Sequence, residues 1–369
     1  MEKVVEKFSE KTAEKKSKKV TGKITGKLAD QNAVSERIFD TLLGATTTDA
    51  EMKWENKLRP QSFSEFPGQD AVKEKMQVFV QAAKNRKEPM DHTLFFGPPG
   101  LGKTTLAQII AVEMGVDIKV TSAPALDRKG DLAALLTSLK PFSILFIDEI
   151  HRLNRTLEEY LYSAMEDYYI DIVTGEGLGA TSMKFQLAPF TLIGATTRAG
   201  LLDNPFRDRF GIQERLQFYD RASLTEIVKR SAGLMGLTCH PEGAEHVARR
   251  SRGTPRVANR LLKRVRDYAE VKGNGQVTQE MALYALDQLG VDKYGLDEMD
   301  RRILRLMSEK YQGGPVGIET MAAALGEDAE TLEEVYEPYL IQEGFLQKTL
   351  RGRVLTDYCK KLNLLDEKA

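Results

Sequence analysis

The sequence predicts an α/β protein in three parts: a phosphate-loop domain with a parallel sheet, a small all-helical domain and a C-terminal winged-helix domain. Three observations carry this. The run Gly97-Pro98-Pro99-Gly100-Leu101-Gly102-Lys103-Thr104 matches G-x-x-x-x-G-K-[ST], a loop that cradles nucleotide phosphates, and it lies between an apolar strand signal and a helix signal. From Lys57 to about Phe218, strand-like and helix-like segments alternate, as they do around a parallel sheet. After Tyr219 the strand signals stop, and the chain closes with three helical patterns and a hairpin signal.

Taken in order, residues 1–50 form a Lys-rich N-terminal extension, expected to be disordered. Its first 30 residues are Lys, Glu, Ser, Thr and Gly with few apolar positions and include Lys15-Lys16-Ser17-Lys18-Lys19, a composition that cannot offset its ordering entropy by burial. A solvated tail and a DNA-touching arm are both compatible with it. Residues 51–219 form the large domain. A helical pattern runs over Ala71–Ala83, an apolar strand over His92–Phe96, and a helix over Thr104–Ala111 that stops at Gly115; further strands are expected at Ile144–Asp148 and Phe190–Thr197. Residues 220–290 carry three-and-four apolar spacing at Ser223–Met235, Glu242–Arg250 and Pro255–Val271, with no strand expected. Residues 291–369 carry helices at Leu296–Lys310, Ile318–Leu325 and Ala329–Gln342, then a hairpin from Gly344–Gln347 and Gly352–Leu355, the pattern of a winged helix.

Bulk composition narrows the function classes. With 53 Lys and Arg against 54 Asp and Glu the net charge is −1, so any nucleic-acid contact must come from a local patch. The two cysteines, Cys239 and Cys359, lie far apart without metal-ligand spacing, which points to reduced thiols rather than a disulfide or zinc site. No stretch approaches the ~20 apolar residues of a membrane span, and the protein is expected in the cytoplasm.

The chemistry-bearing residues read as a nucleotide hydrolase. Gly97, Gly100 and Gly102 let the loop backbone turn its N–H groups inward, Lys103 reaches the β- and γ-phosphates, and the Thr104 hydroxyl can ligate Mg²⁺. Ile144-Leu145-Phe146-Ile147-Asp148-Glu149 is an apolar strand ending in two acids. A phosphate-loop ATPase needs one carboxylate on Mg²⁺, here Asp148, and one that polarises the attacking water, here Glu149. The strand Phe190–Thr197 ends in a hydroxyl that could report on the γ-phosphate, Thr197 or failing it Thr196. Arg209, near the end of the large domain, could reach a neighbour's γ-phosphate as an arginine finger. Arg256 follows Thr254 at an N-cap and Pro255 at a first helical position; its charge opposes the helix dipole there, so an anionic partner competes with the reading of an ordinary surface arginine.

Two surfaces stand out beside the nucleotide residues. Alternation around the glycine-rich turn from Ile170 to Leu187 reads as a hairpin, which either presents Ile170, Ile172 and Leu178 to a partner or folds back on its own core. In the last domain Lys348, Arg351 and Arg353 have a spacing suited to straddling DNA phosphates from a wing. The preceding helix, with Glu327, Asp328, Glu330, Glu333, Glu334 and Glu337, would repel phosphate and argues against a sequence-reading helix in a groove. The basic run Arg260-Leu261-Leu262-Lys263-Arg264-Val265-Arg266 is expected to serve subunit contacts or solubility.

Together Gly97–Thr104, Asp148-Glu149-Ile150-His151-Arg152-Leu153, Gly194-Ala195-Thr196-Thr197-Arg198, Asp208-Arg209-Phe210-Gly211 and Gly253-Thr254-Pro255-Arg256 resemble the AAA+ ATPases, and among them the RuvB family of Holliday-junction branch-migration motors. The similarity runs over about residues 55–358 and includes Ala164-Met165-Glu166-Asp167-Tyr168, Gly313-Gly314-Pro315-Val316-Gly317 and Glu337-Pro338-Tyr339-Leu340-Ile341-Gln342, outside the ATPase motifs. The resemblance implies ATP and Mg²⁺ as cofactors. It implies that Leu58, Arg59 and Tyr219 line the nucleotide pocket, that Gly100, Lys103, Thr104 and Thr105 hold phosphate and Mg²⁺, and that Glu166, Asp167 and Tyr168 lie near nucleotide. It further makes Arg209 a finger in trans, Arg256 a sensor in cis, and Lys348 and Arg353 contacts to duplex DNA. A basic position of the family falls on Ala329, and an arginine of the family is replaced by Lys348. The implied partners are Holliday-junction DNA, RuvA through the 170–187 hairpin, RuvC in a resolvasome, and further copies of the chain in a homo-hexamer.

Two other functions compete. A clamp-loader subunit would share the phosphate loop and finger but end in a helical collar, which residues 291–358 do not suggest. A DNA-binding regulator with a vestigial ATPase would need a damaged site, whereas Lys103, Asp148, Glu149 and Arg209 are all present.

Overall fold

The structure, a computed structural model, describes residues 57–174 and 181–362. The 1–50 extension and Leu178 lie outside the described residues. The large domain runs α1 (Asp70–Arg86), β1 (Thr93–Phe96), α2 (Lys103–Met114), β2 (Ile118–Ser122), α3 (Lys129–Thr137), β3 (Ile144–Asp148), α4 (Arg155–Asp167), β4 (Tyr169–Thr174), β5 (Thr181–Gln186), β6 (Thr191–Thr196), α5 (Asn204–Asp208) and β7 (Ile212–Arg215). Five strands form one parallel sheet in the order β2-β3-β6-β1-β7. Side chains of a strand alternate between faces, so Phe95, Phe146 and Ile193 bury into one core layer and Leu94, Leu145, Ile147 and Leu192 into the other. Burial on both faces explains why these strands read as continuous apolar runs. The order also sets the site: the carboxyl ends of β1, β6 and β3 lie side by side, where open parallel sheets bind ligands.

The second part comprises α6 (Arg221–Leu234), α7 (Pro241–Arg249), α8 (Pro255–Lys272) and α9 (Gln279–Gln288). It is not purely helical. Thr238–Cys239 (β8) and Gln276–Val277 (β9) pair in parallel, a bridge too short to carry a periodic signal. The basic run of α8 is absorbed within the chain: Arg260 is buried, Arg264 pairs with Asp267 at 2.9 Å, and Arg266 pairs with Asp267 at 3.2 Å and Glu270 at 3.6 Å.

The head comprises α10 (Glu298–Tyr311), α11 (Ile318–Leu325), α12 (Ala329–Thr331), a π-helical turn (Leu332–Tyr336), α13 (Glu337–Gln342), the wing strands β10 (Leu346–Thr349) and β11 (Gly352–Leu355), and α14 (Asp357–Lys361). The continuous helix expected over Ala329–Gln342 is thus interrupted by the π turn. A bridge from Val316 to Arg353 adds a third rung to the wing.

Arg252 ties the head to the helical part. Its guanidinium reaches Asp297 Oδ2 at 2.5 Å and Asp300, Nε donates to the Gly295 carbonyl at 3.0 Å, and Cζ stacks 5.2 Å from the Tyr339 ring centroid. All three charged side chains are almost completely buried. Removing one member of such a group strands the others in low dielectric, so Arg252→Ala should cost the head about 3–5 kcal/mol. Urea unfolding of the head checks this, and a loss of well under 1 kcal/mol would show that the cluster is not an anchor.

Candidate active site

At the end of β1 the chain enters the phosphate loop. Gly100 has φ +77°, and a Cβ there would stand 2.7 Å from Thr254 Cγ2 and 3.0 Å from Arg256 Cβ, so only glycine lets the loop and the start of α8 approach. Gly102 caps α2 in the left-handed region, leaving the first N–H groups of that helix facing the cleft. The cleft is lined by Leu58, Arg59, Gly100, Lys103, Thr104, Thr105, Asp148, Glu149, Tyr219 and Arg256, bringing these expected residues together from both domains. Sequence reasoning missed Phe66, Arg230 and Asn259, which also line it. Arg230 donates to the Leu58 carbonyl at 2.6 Å and so holds the cleft's N-terminal edge. Nothing local marks these three, which belong to ordinary helix and turn patterns.

Lys103 is buried, and its Nζ donates to the Gly97 and Pro98 carbonyls at 2.7 and 2.9 Å. Burial lowers its pKa, against the opposing pull of Glu149 and Asp148. Thr104 Oγ1 lies 3.4 Å from Asp148 Oδ2. Burial, with the neighbouring Glu149 charge, holds the Asp148 carboxyl above its ordinary range. Glu149 behaves oppositely. Burial raises it, but the hydrogen bond from His151 and the charge of Lys103 outweigh burial and hold the carboxyl below the usual range. His151 Nδ1 stands 3.2 Å from Glu149 Oε2 and 2.9 Å from Thr196 Oγ1, and Thr197 Oγ1 donates to Glu149 Oε2 at 3.4 Å. Thr197 therefore meets the candidate catalytic acid, whereas Thr196 is fully buried and bonds His151 and the Arg198 N–H. Thr254 occupies the N-cap position of α8, but its hydroxyl turns back to the Arg252 carbonyl instead of capping.

Three families match the chain in succession, one for each part of the fold. The family described as Holliday junction DNA helicase RuvB P-loop domain matches residues 58–216, the RuvB AAA lid domain residues 219–292, and the RuvB C-terminal winged helix domain residues 293–362. The chain belongs to the RuvB family. A curated relative, the Holliday junction branch migration complex subunit RuvB of Bdellovibrio bacteriovorus, is 70% identical over 326 residues, covering 88% of this chain and 99% of the relative. A point mutant of Thermotoga maritima RuvB superposes with TM-score 0.77 at 52% identity over 83% of this chain and 97% of its own. The structure titled Thermotoga maritima RuvB Holliday junction branch migration motor superposes with TM-score 0.76 at 50% identity, covering 85% and 99%.

Within this RuvB-family chain several expected site residues stand elsewhere. Arg209, expected to act in trans, does not line this cleft: it hydrogen-bonds Tyr162, stacks 4.4 Å from that ring's centroid and pairs with Glu166 at 2.6 Å. Glu166, Asp167 and Tyr168 do not line the cleft either. Glu166 joins Arg209, and Tyr168 packs near His92 and Phe190.

The hairpin is corrected in one respect. Ile170 is completely buried and Ile172 packs partly against the core, while among the described residues of the hairpin Met183 (61%) and Phe185 (44%) on β5 are exposed apolar side chains. The wing is corrected too. Arg353 faces inward, where it is buried and pairs with Glu337 at 2.8 Å and Glu333 at 3.2 Å, so it does not present its charge to DNA. Lys348 is exposed but also pairs with Glu333 at 2.8 Å, while Leu350 and Arg351 are exposed at the turn. Both cysteines are free, and among the described residues no helix is long and apolar enough to cross a membrane.

Proposed function

We propose a division of labour among these residues for a RuvB-family ATPase, an ATP-hydrolysing subunit that drives Holliday junction branch migration. The carrying observation is the convergence of Glu149, Thr197 and His151 beside Lys103 at the carboxyl ends of β1, β3 and β6. The phosphate loop and the N-terminus of α2 bind the triphosphate, with Lys103 leaving the Gly97 and Pro98 carbonyls for the β- and γ-phosphates. Glu149 accepts a hydrogen bond from the attacking water. His151 holds its carboxylate in place, and the low carboxyl pKa keeps it ionised. Thr197 bridges that carboxylate to the terminal phosphate, and Arg256 completes the pocket from α8. Thr104 and Asp148 offer a hydroxyl and a half-buried carboxylate held above its ordinary range by burial and the Glu149 charge, a donor set that fits Mg²⁺. The ion would supply charge neutralisation on the phosphate oxygens.

The remaining assignments extend outward. Arg209 with Glu166, away from its own cleft, serves the neighbouring subunit of a homo-hexamer. The Met183 and Phe185 face of the hairpin receives RuvA, and the assembled motor works beside RuvC in the cytoplasm. On the wing, Lys348 and Arg351 contact DNA phosphates, and Arg353 builds the wing from within.

Salt-dependent duplex binding tests the wing. Arg351→Ala and Lys348→Ala should each lower the log–log salt slope by about one unit, alike for unrelated sequences, and slow migration of a synthetic four-way junction. Arg353→Ala should instead destabilise the head, because it removes the 2.8 Å partner of the buried Glu337 and leaves the more distant Lys348, at 3.7 Å, to pair with it. Unchanged slopes in both exposed-residue variants would move the DNA contact off this wing.

A further inference from the structure

The residue after Thr197 joins the ATPase domain to the head through three carboxylates. Arg198 places Nε 2.7 Å from Glu334 Oε1, Nη2 3.5 Å from Glu333 Oε2 and Nη1 3.7 Å from Glu330 Oε1. Its backbone N–H is fixed by Thr196 Oγ1 at 2.9 Å, so the guanidinium is mounted on the strand end that meets Glu149. On the head side, Glu333 and Glu334 lie in the π-helical turn Leu332–Tyr336, an irregularity that recurs at functional positions in helices. Glu333 is shared, since its other oxygen pairs with Lys348 and Arg353 of the wing. One acidic turn therefore joins the nucleotide-sensing strand to the cations of the wing.

We propose that Arg198 is the positioning residue through which the terminal phosphate of bound ATP controls the docking of the winged-helix head, by drawing the guanidinium from the Glu330–Glu333–Glu334 cluster. This rests on the assignment of Thr197 and Glu149 to the γ-phosphate end of the cleft. A guanidinium pairs with phosphate as well as with carboxylate, so the two compete for it. Charge reinforces the exchange. Burial raises the Glu334 carboxyl, Arg198 lowers it, and the charge of Glu149 raises it again, so the head's acid already feels the catalytic acid. A phosphate added between these groups repels the head carboxylates while it attracts Arg198.

The test uses full-length rings in which a minority of subunits carry donor and acceptor dyes at Val112 and Tyr358, both exposed, on the large domain and the head. Nucleotide binding is measured on the same samples with ADP and with a non-hydrolysable ATP analogue. The wild-type chain should change transfer efficiency between the two nucleotides. Arg198→Ala should bind both and show a single efficiency, and Arg198→Lys should restore part of the change. The double substitution Glu330→Gln with Glu334→Gln attacks the same link from the head and should also lose the change, which covers a failure of Arg198→Ala to fold. A nucleotide-dependent change that persists at wild-type size in either variant, or that the wild-type chain lacks despite binding, overturns the proposal. Failure of the wild-type chain to bind nucleotide would instead refute the reading of the cleft.

Discussion

Glu149→Gln should retain ATP binding and lose hydrolysis by about 10²–10³-fold, the loss expected when one preorganised transition-state group is removed. Each tenfold corresponds to about 1.4 kcal/mol of barrier. The glutamine side chain would keep the size of the acid and its neighbours His151 and Thr197, so the substitution isolates the charge that orients water. Lys103→Ala should fail at the earlier step. The lysine is the buried cation of the phosphate loop, and its loss leaves Gly97 and Pro98 carbonyls aimed at a polyanion with nothing between. Fluorescent-nucleotide titration and phosphate release measured on both variants separate the two defects. Hydrolysis by Glu149→Gln at the parental rate would remove Glu149 from the mechanism.

Arg209→Ala should abolish nearly all turnover, with about 10³-fold or more lost, while its own subunit still binds ATP. The geometry supports action on a neighbour. Arg209 is held by Tyr162 and Glu166 on α4, outside the cleft that contains Lys103 and Glu149. Mixing decides it. Arg209→Ala subunits keep an intact phosphate loop and Lys103→Ala subunits keep an intact finger, so mixed rings should regain ATPase that neither variant shows alone. Absence of rescue in rings shown to be mixed would confine Arg209 to its own subunit or to a structural role.

The nucleotide loop and the acidic pair were legible because their chemistry is contiguous. A loop that must turn its N–H groups onto phosphate needs glycines at set places, and Asp148 and Glu149 follow an apolar run that buries on both faces. His151 was also within reach, two residues beyond Glu149, but an isolated histidine carries no signal until Thr196 and Glu149 are seen on either side of it. The helix α9 escaped notice because Gln279–Gln288 buries only Ala282, Ala285 and Leu286, a narrow stripe.

The wing shows where one-dimensional spacing fails. Lys348 and Arg353 are opposite one another in the β10–β11 register, so they share a face beside the acidic carboxylates of the preceding helix, where Arg353 is buried and Lys348 stays exposed. Three cations close in sequence read as a phosphate grip, yet one is a buried structural partner. The acidic helix likewise read as a repellent surface, although Glu330, Glu333, Glu334 and Glu337 are engaged by Arg198, Lys348 and Arg353.

By itself the amino-acid sequence determined the order of the three parts, the strands and helices with strong periodicity, and the phosphate loop with its acidic partner. Each of these is dictated by backbone geometry and burial over a few consecutive residues. Only the tertiary structure decided which charges face one another: Arg252 against Asp297 and Asp300, Arg198 against the head's acidic turn, and Arg209 against Glu166 away from its own cleft. An ion pair depends on distance through space, and that distance is set by how the three parts, and the elements within each of them, pack.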